Sequence, residues 1–233
     1  MLFRSFRILK RHSGQHRQKL ASPPWRASAR GRFTWRVAQK FWAQWILERA
    51  GVSVRLIGKE RVDWSRPHIV VANHQSTLDI LLLVAFVPDG RYVAKKEVLS
   101  YPVIGPIARL GAQIIIDRKD HFQAMKAIRE GMRDWSRCNL IFFAEGSRSP
   151  TGVLGEFKRG AFAIAKEMGL AIVPVAISGT YEALSKGSLL RLKRNPLVRV
   201  EFGHEIDPKT REVLQLTLLT RNKIFAMLQA PVR

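Results

Sequence analysis

No aspartate or glutamate occurs before Glu48 in this chain of 233 residues. The first 40 positions hold eleven Lys/Arg instead, so this segment has no internal counter-charge and its partners must be anionic. Cysteine is nearly absent. Cys138 stands alone, which excludes an intramolecular disulfide framework. It lies just before the apolar run Leu140 to Phe143 and reads as a buried, inert thiol rather than a nucleophile. Long apolar runs are missing as well: the longest extends only from Ile80 to Val87, far short of the roughly 20 residues a membrane span needs. The basic start is followed by no apolar h-region, so a cleaved secretory signal is not expected. An Arg-rich, acid-free start also suits an organelle transit peptide, and that alternative stays open. There is no internal repeat and no low-complexity tract.

What is present suits one α/β domain with a small appendage. Hydrophobic residues make up 46% of the chain, enough for a sizeable core. The net charge is +22, with 40 Lys+Arg against 18 Asp+Glu. Beyond residue 40 there are still 29 basic against 18 acidic residues, so the body is basic in its own right. Such a charge says little about fold, but it selects anionic lipid, nucleic acid or an acidic carrier as partner.

Residues 1–32 are expected to be poorly ordered or surface-associated, with Pro23-Pro24 breaking any helix. From Phe33 to Ala50 the pattern turns helical: Phe33, Val37, Ala38, Phe41, Trp42, Trp45 and Ile46 share one face. Tryptophans 35, 42 and 45 favour a membrane interface; docking of the same face on the protein's own core is the competing reading. Beyond Gly51 strands and helices alternate. Strands are expected at Val54–Ile57, His68–Ala72, Arg91–Ala94, Gln113–Ile116, Asn139–Phe143, Ala171–Ser178 and Leu197–Phe202. Helices are expected at Ile80–Phe86, around Val103–Leu110, and at His121–Trp135, Gly160–Met168 and Glu212–Leu228. This alternation predicts an α/β fold with a mixed or largely parallel central sheet flanked by helices, preceded by an N-terminal amphipathic helical segment. The domain division is 1–50, a basic segment with an interfacial helix, and 51–233, the catalytic domain.

Chemistry-bearing residues collect at the strand exits. Asn73-His74-Gln75-Ser76-Thr77-Leu78-Asp79 joins a strand to a helix. Within one continuous helix residues five apart would diverge by about 140°. Across a strand-to-helix turn, capped by Ser76 or Thr77, the Asp79 carboxylate can fold back onto the His74 ring. It would fix the tautomer and leave the other nitrogen as general base. Taken alone, a His and an Asp at this spacing are more often a loop histidine and a first-turn acid. Glu145-Gly146-Ser147-Arg148-Ser149 follows another strand. Arg148 offers a planar fork suited to phosphate, and Glu145 can orient that arginine or hold a substrate hydroxyl. Gly111 to Arg118 ends in the pair Asp117 and Arg118. Lys95 and Lys96 leave a third strand, and Phe157-Lys158-Arg159-Gly160 adds cations beside Glu145. Lys186, Arg191, Lys193, Arg194 and Arg199 form a second basic cluster, suited to headgroups or an acidic carrier protein, with a solvated loop as the competing reading.

Taken in order, these blocks resemble the glycerolipid acyltransferases typified by 1-acyl-glycerol-3-phosphate acyltransferase. The N-H-x-x-x-x-D block is matched by Asn73 to Asp79. A G-x-x-F-I-D-R block is matched within Gly111 to Arg118: Ile115 to Arg118 fill its last four positions, with Ile115 for the phenylalanine, and Gly111 stands one position upstream of the block's glycine. An F-P-E-G-T-R-S block is matched by Phe143 to Ser149, with Ala144 for proline and Ser147 for threonine. The apolar strand with proline is matched by Val173-Pro174-Val175. The resemblance covers about residues 55 to 205. It implies acyl transfer from acyl-CoA or an acyl carrier protein to a lysophospholipid hydroxyl, with His74 and Asp79 catalytic and no cofactor or metal. Substrate would be bound by Lys95, Lys96, Asp117, Arg118, Glu145, Gly146, Ser147 and Arg148, with a lysine assisting the oxyanion and Arg148 and Arg118 neutralising an acceptor phosphate. Lysophosphatidic acid is the default acceptor and another lysolipid, such as a lyso-ornithine lipid, the alternative. The expected setting is peripheral or monotopic on the cytoplasmic face of a membrane, a bacterial inner membrane by default. The roughly 1 kcal/mol that each basic residue gains near an anionic surface would help hold the protein there. A basic nucleic-acid-binding protein is the rival from another class, but no nucleic-acid motif supports it.

Overall fold

The structure, a computed structural model, describes residues 29–100, 113–117, 120–134, 138–184 and 194–230, with side chains from residue 37 onward. The chain divides into two compact units, 1–35 and 36–233. Of the first, the described part is the helical stretch 29–35. The second contains a seven-stranded sheet.

The elements are α1 (Ala29–Arg49), β1 (Ser53–Ile57), β2 (Ile69–Ala72), α2 (Leu78–Phe86), β3 (Gly90–Lys95), β4 (Ile114–Ile116), α3 (His121–Asp134), β5 (Asn139–Phe143), α4 (Gly160–Met168), β6 (Ile172–Ser178), α5 (Thr180–Ala183), β7 (Leu197–Phe202) and α6 (Val213–Gln229). The sheet order is β1-β7-β6-β2-β5-β3-β4. Only the β6–β7 pairing is antiparallel; β2 runs parallel to both β5 and β6. The sheet is therefore mixed, as the alternation of elements predicts. The short helix α5 had no signal in the periodicity. The expected helix around Val103–Leu110 lies outside the described residues.

Burial explains the composition of the central strands. All four residues of β2 are fully buried, as a parallel strand covered on both faces requires. Val70 and Ala72 join Val173, Val175, Val198, Val200 and Phe202 in one apolar cluster. Helix α2 is apolar apart from Asp79 and caps this cluster with Leu78, Leu82 and Leu83. Pro174, the residue of β6 without an N–H, sits just outside the β7 ladder. Its carbonyl accepts from Gly203 at 2.8 Å. Because N and O of one strand residue point to the same side, the missing donor faces that ladder end and costs the β2 pairing nothing.

The two competing readings of α1 both find support, on different sides of the helix. Ala43 and Leu47 are buried in the core cluster. Phe41, Trp42 and Trp45, on the other side, are 64%, 44% and 59% exposed. The periodic apolar stripe therefore does not mark the docked face; a narrower stripe of smaller residues does.

Arg199 belongs to no surface basic cluster. It is buried in β7, where its guanidinium donates to the carbonyls of Met227 and Ala230 at the end of α6. A cation there meets the carbonyls of the last helical turn and the negative end of the helix. Arg194 is exposed; Lys186, Arg191 and Lys193 lie outside the described residues. Replacing Arg199 by Met should lower unfolding free energy by about 2 kcal/mol, read by urea denaturation; an unchanged midpoint would show that the cap is dispensable.

Candidate active site

Parallel strands share one C-terminal edge, and ligands of such sheets bind beyond it. His74 leaves β2 there, Glu145 leaves β5, Lys95 and Lys96 leave β3, and Asp117 leaves β4. Asn73 makes the first tie. Its side-chain amide donates to the Ile177 carbonyl and accepts from the Ile177 N–H, both at 2.8 Å. A side chain thus prolongs the β2–β6 ladder by one rung and pins the backbone just before His74.

His74 is held on every side but one. Nδ1 lies 2.8 Å from Asp79 Oδ2. Its backbone N–H donates to Glu145 Oε1 at 2.8 Å, and its carbonyl accepts from Ser149 N–H at 2.7 Å. Its ring stacks on Phe143, centroids 3.8 Å apart and planes 10° apart, and Phe143 stacks in turn on Tyr92. Tyr92 is buried and donates its hydroxyl to the Ile80 carbonyl at 2.8 Å. Burial, and then the nearby Asp79 charge, push its phenol well above the ordinary value, so it stays a neutral donor. Nε2 of His74 is left without a protein partner among the described residues.

The buried Asp79 carboxylate does more than face the ring. Its Oδ2 also accepts from the N–H groups of Gln75 at 2.6 Å and Ser76 at 2.8 Å. The side chain of the second helical residue therefore closes the turn, which adds to the expected cap. Thr77 makes no cap bond; its hydroxyl accepts from Arg148 Nη1 at 3.0 Å. The Ser76 hydroxyl accepts from the Leu78 N–H at 3.3 Å, as a cap does, and donates to the Leu184 carbonyl.

The Phe143–Ser149 turn lies against this segment. Gly146 adopts φ +81, a conformation that other residues enter at a cost. Glu145 does not orient Arg148, contrary to the expectation. Its two oxygens take the N–H groups of His74 and, at 3.0 Å, Gly155. The reason is register: β5 runs beside β2, so the first polar residue after β5 meets the backbone leaving β2. Arg148 is half-buried and Ser147 exposed.

The remaining predicted residues lie apart or are occupied. Lys96 and Asp117 pair with each other on the surface, and this hydrogen bond raises the Lys96 ammonium above its ordinary value. Each therefore has a protein partner in place of the ligand contact expected of it. Lys95 is half-buried and has no ion-pair partner among the described residues. Arg118 lies outside the described residues. His121 and His204 are exposed. His68, the other buried histidine near β2, sits at the opposite end of the strand, with Nδ1 3.2 Å from Asn139 Oδ1 and Nε2 3.2 Å from Glu205 Oε1. Among the described residues no group of three His, Cys, Asp or Glu has the arrangement of a metal site.

A histidine–carboxylate pair thus stands at the mouth of a mixed α/β sheet, beside a glycine turn carrying an arginine. Residues 53–178 match the Acyltransferase family, and the chain belongs to that family. It is 34% identical over 163 residues to the 1-acyl-sn-glycerol-3-phosphate acyltransferase of Saccharomyces cerevisiae, covering 64% of this chain and 54% of that protein. It is 39% identical over 138 residues to the enzyme of the same name from Cocos nucifera, covering 58% of this chain and 44% of that protein. The chain thus spans about half the length of these curated relatives. The crystal structure of the 1-acyl-sn-glycerophosphate (LPA) acyltransferase PlsC from Thermotoga maritima superposes with a TM-score of 0.67 at 25% identity, covering 100% of this chain and 88% of that one.

Burial raises the Glu145 carboxyl above the ordinary glutamate value, opposed by the N–H donors of His74 and Gly155. The native protein therefore holds this proton more tightly than the unfolded chain, and the group's contribution to stability falls as pH rises from the unfolded to the native value. Glu145→Gln removes the titration. The stability of wild type relative to Glu145→Gln, from urea unfolding, should decline across that window; a difference that grows with pH would contradict the assignment.

Proposed function

We propose that this protein transfers an acyl chain from an acyl thioester, acyl-CoA or acyl carrier protein, to the free hydroxyl of 1-acyl-glycerol-3-phosphate, giving phosphatidic acid. The observation that carries the reading is the 2.8 Å contact between His74 Nδ1 and Asp79 Oδ2, which leaves Nε2 as the only ring nitrogen available to a substrate. Family membership and the names of the relatives support the same chemistry.

In this mechanism His74 Nε2 takes the proton of the acceptor hydroxyl as that oxygen attacks the thioester carbonyl. Asp79 holds the ring and balances the imidazolium. The tetrahedral oxyanion forms near Lys95, the lysine at the β3 exit without an ion-pair partner, rather than Lys96, which is engaged by Asp117. Collapse expels the thiolate, which takes the proton back from His74. The acceptor phosphate sits on Arg148, whose fork has donors to spare beyond its bond to Thr77. The reaction needs no acyl-enzyme and no cofactor.

Residues 1–50 form the membrane-facing basic segment and 51–233 the acyltransferase domain. No helix among the described residues is long and apolar enough to cross a membrane. The exposed Phe41, Trp42 and Trp45 supply an apolar face for the headgroup layer, with the acid-free basic segment attracted to anionic lipid. The protein is a peripheral or monotopic enzyme on the cytoplasmic face of its membrane.

The direct test is purified protein with a panel of lysolipids and a labelled acyl thioester, read by mass spectrometry. Transfer to lysophosphatidic acid is expected; transfer to no lysolipid would sink the reading. His74→Ala should lose turnover by on the order of 10³-fold while melting as wild type does. Phe143→Leu should lower kcat by about tenfold with KM unchanged, and Phe143→Tyr should keep both the stack and the rate. Trp45→Ser combined with Phe41→Ser should weaken co-sedimentation with anionic vesicles by roughly tenfold or more, while turnover on detergent-dispersed substrate holds.

A further inference from the structure

Lys158 belongs to none of the four motif blocks, yet it is built into the turn that carries Glu145 and Arg148. Its backbone N–H donates to the Ala144 carbonyl at 2.9 Å. Its side chain doubles back over the same turn: a Cβ placed on Gly146 would meet Lys158 Cε at 3.1 Å and Nζ at 3.2 Å. Gly146 therefore meets two demands, the positive φ and room for the lysine arm. The ammonium is tethered over the turn that carries Arg148, although Lys158 is exposed.

This cation has no counter-charge. Glu145, the acid of the same turn, directs both oxygens to the N–H groups of His74 and Gly155. Among the described residues no carboxylate pairs with Lys158, whereas Lys96, Arg129 and Lys166 each have one. A lysine packed onto a turn that also carries a half-buried arginine, with no carboxylate paired to it, suits an anion. A phosphate monoester carries more than one negative charge near neutral pH, and Arg148 alone supplies one positive charge.

We propose that Lys158 is the second cation of the acceptor-phosphate site, facing Arg148 across the Gly146 turn and distinguishing phosphorylated from neutral acceptors. The inference rests on the acyl-transfer reading given above. Phosphate is also carried by acyl-CoA, so the experiment varies the two substrates separately. Lys158→Met keeps the arm length, the packing over Gly146 and the backbone bond to Ala144, and thermal melting checks that it folds; Lys158→Gln serves as a second neutral variant. With lysophosphatidic acid as the varied substrate, KM should rise about tenfold or more with kcat nearly unchanged, and Lys158→Arg should restore most of the loss. The KM for acyl-CoA should not move, and residual transfer to a neutral monoacylglycerol should be the same in wild type and variant. An unchanged acceptor KM in an active variant would overturn the inference, as would a rise confined to the acyl-CoA KM. A wild-type enzyme that acylates no lysophosphatidic acid would remove the acyl-transfer reading itself, and this assignment with it.

Discussion

Asp79 Oδ2 gathers three N–H donors, from the His74 ring and from the Gln75 and Ser76 backbone. One oxygen thereby shapes the turn after β2, starts helix α2 and orients the imidazole. The oxygen is fully buried, so the three bonds form away from competing water and the geometry is stiff. Around it the other ties make sense: Asn73 fixes the chain on the strand side, and Glu145 and Ser149 hold His74 on the β5 side. A histidine whose backbone and ring are both constrained keeps its free nitrogen in one place, as the proposed proton transfer requires.

The charges of the site are sorted by what each turn leaves unpaired. Three carboxylates near the strand exits are engaged: Asp79 by the turn after β2, Glu145 by two backbone groups, Asp117 by Lys96. The cations that remain available, Lys95, Arg148 and Lys158, come from three different segments. In the proposed function these cations meet an anionic substrate, and the exposed Phe41, Trp42 and Trp45 of α1 face the headgroup layer.

Much of this could be read along the chain. The central strands were recognisable as short apolar runs, because a strand buried on both faces needs no alternation, and their ends fell within a residue or two. His74, Asp79, Glu145 and Arg148 stood out as polar residues at strand exits. Partners were harder to assign. Glu145 was expected to orient Arg148 or hold a substrate hydroxyl, but the β2–β5 register brings it to the His74 backbone. Arg199 resembled its basic neighbours, yet its place in an inner strand turns it inward to cap α6. Phe143 read as the last residue of a strand, and nothing local indicated that its ring lies on the imidazole.

The sequence by itself determined the kind of chemistry: which side chains stand at strand exits, in what order, and that the whole carries a large positive charge. Those features are local, set by residue type and by the alternation of strand and helix. Only the tertiary structure decided who meets whom. Five residues separate His74 from Asp79, but 71 separate the His74 backbone from Glu145 and 104 separate Asn73 from Ile177. Contacts at such separations depend on the strand order and register of the sheet, a collective result of core packing that no short stretch of sequence encodes.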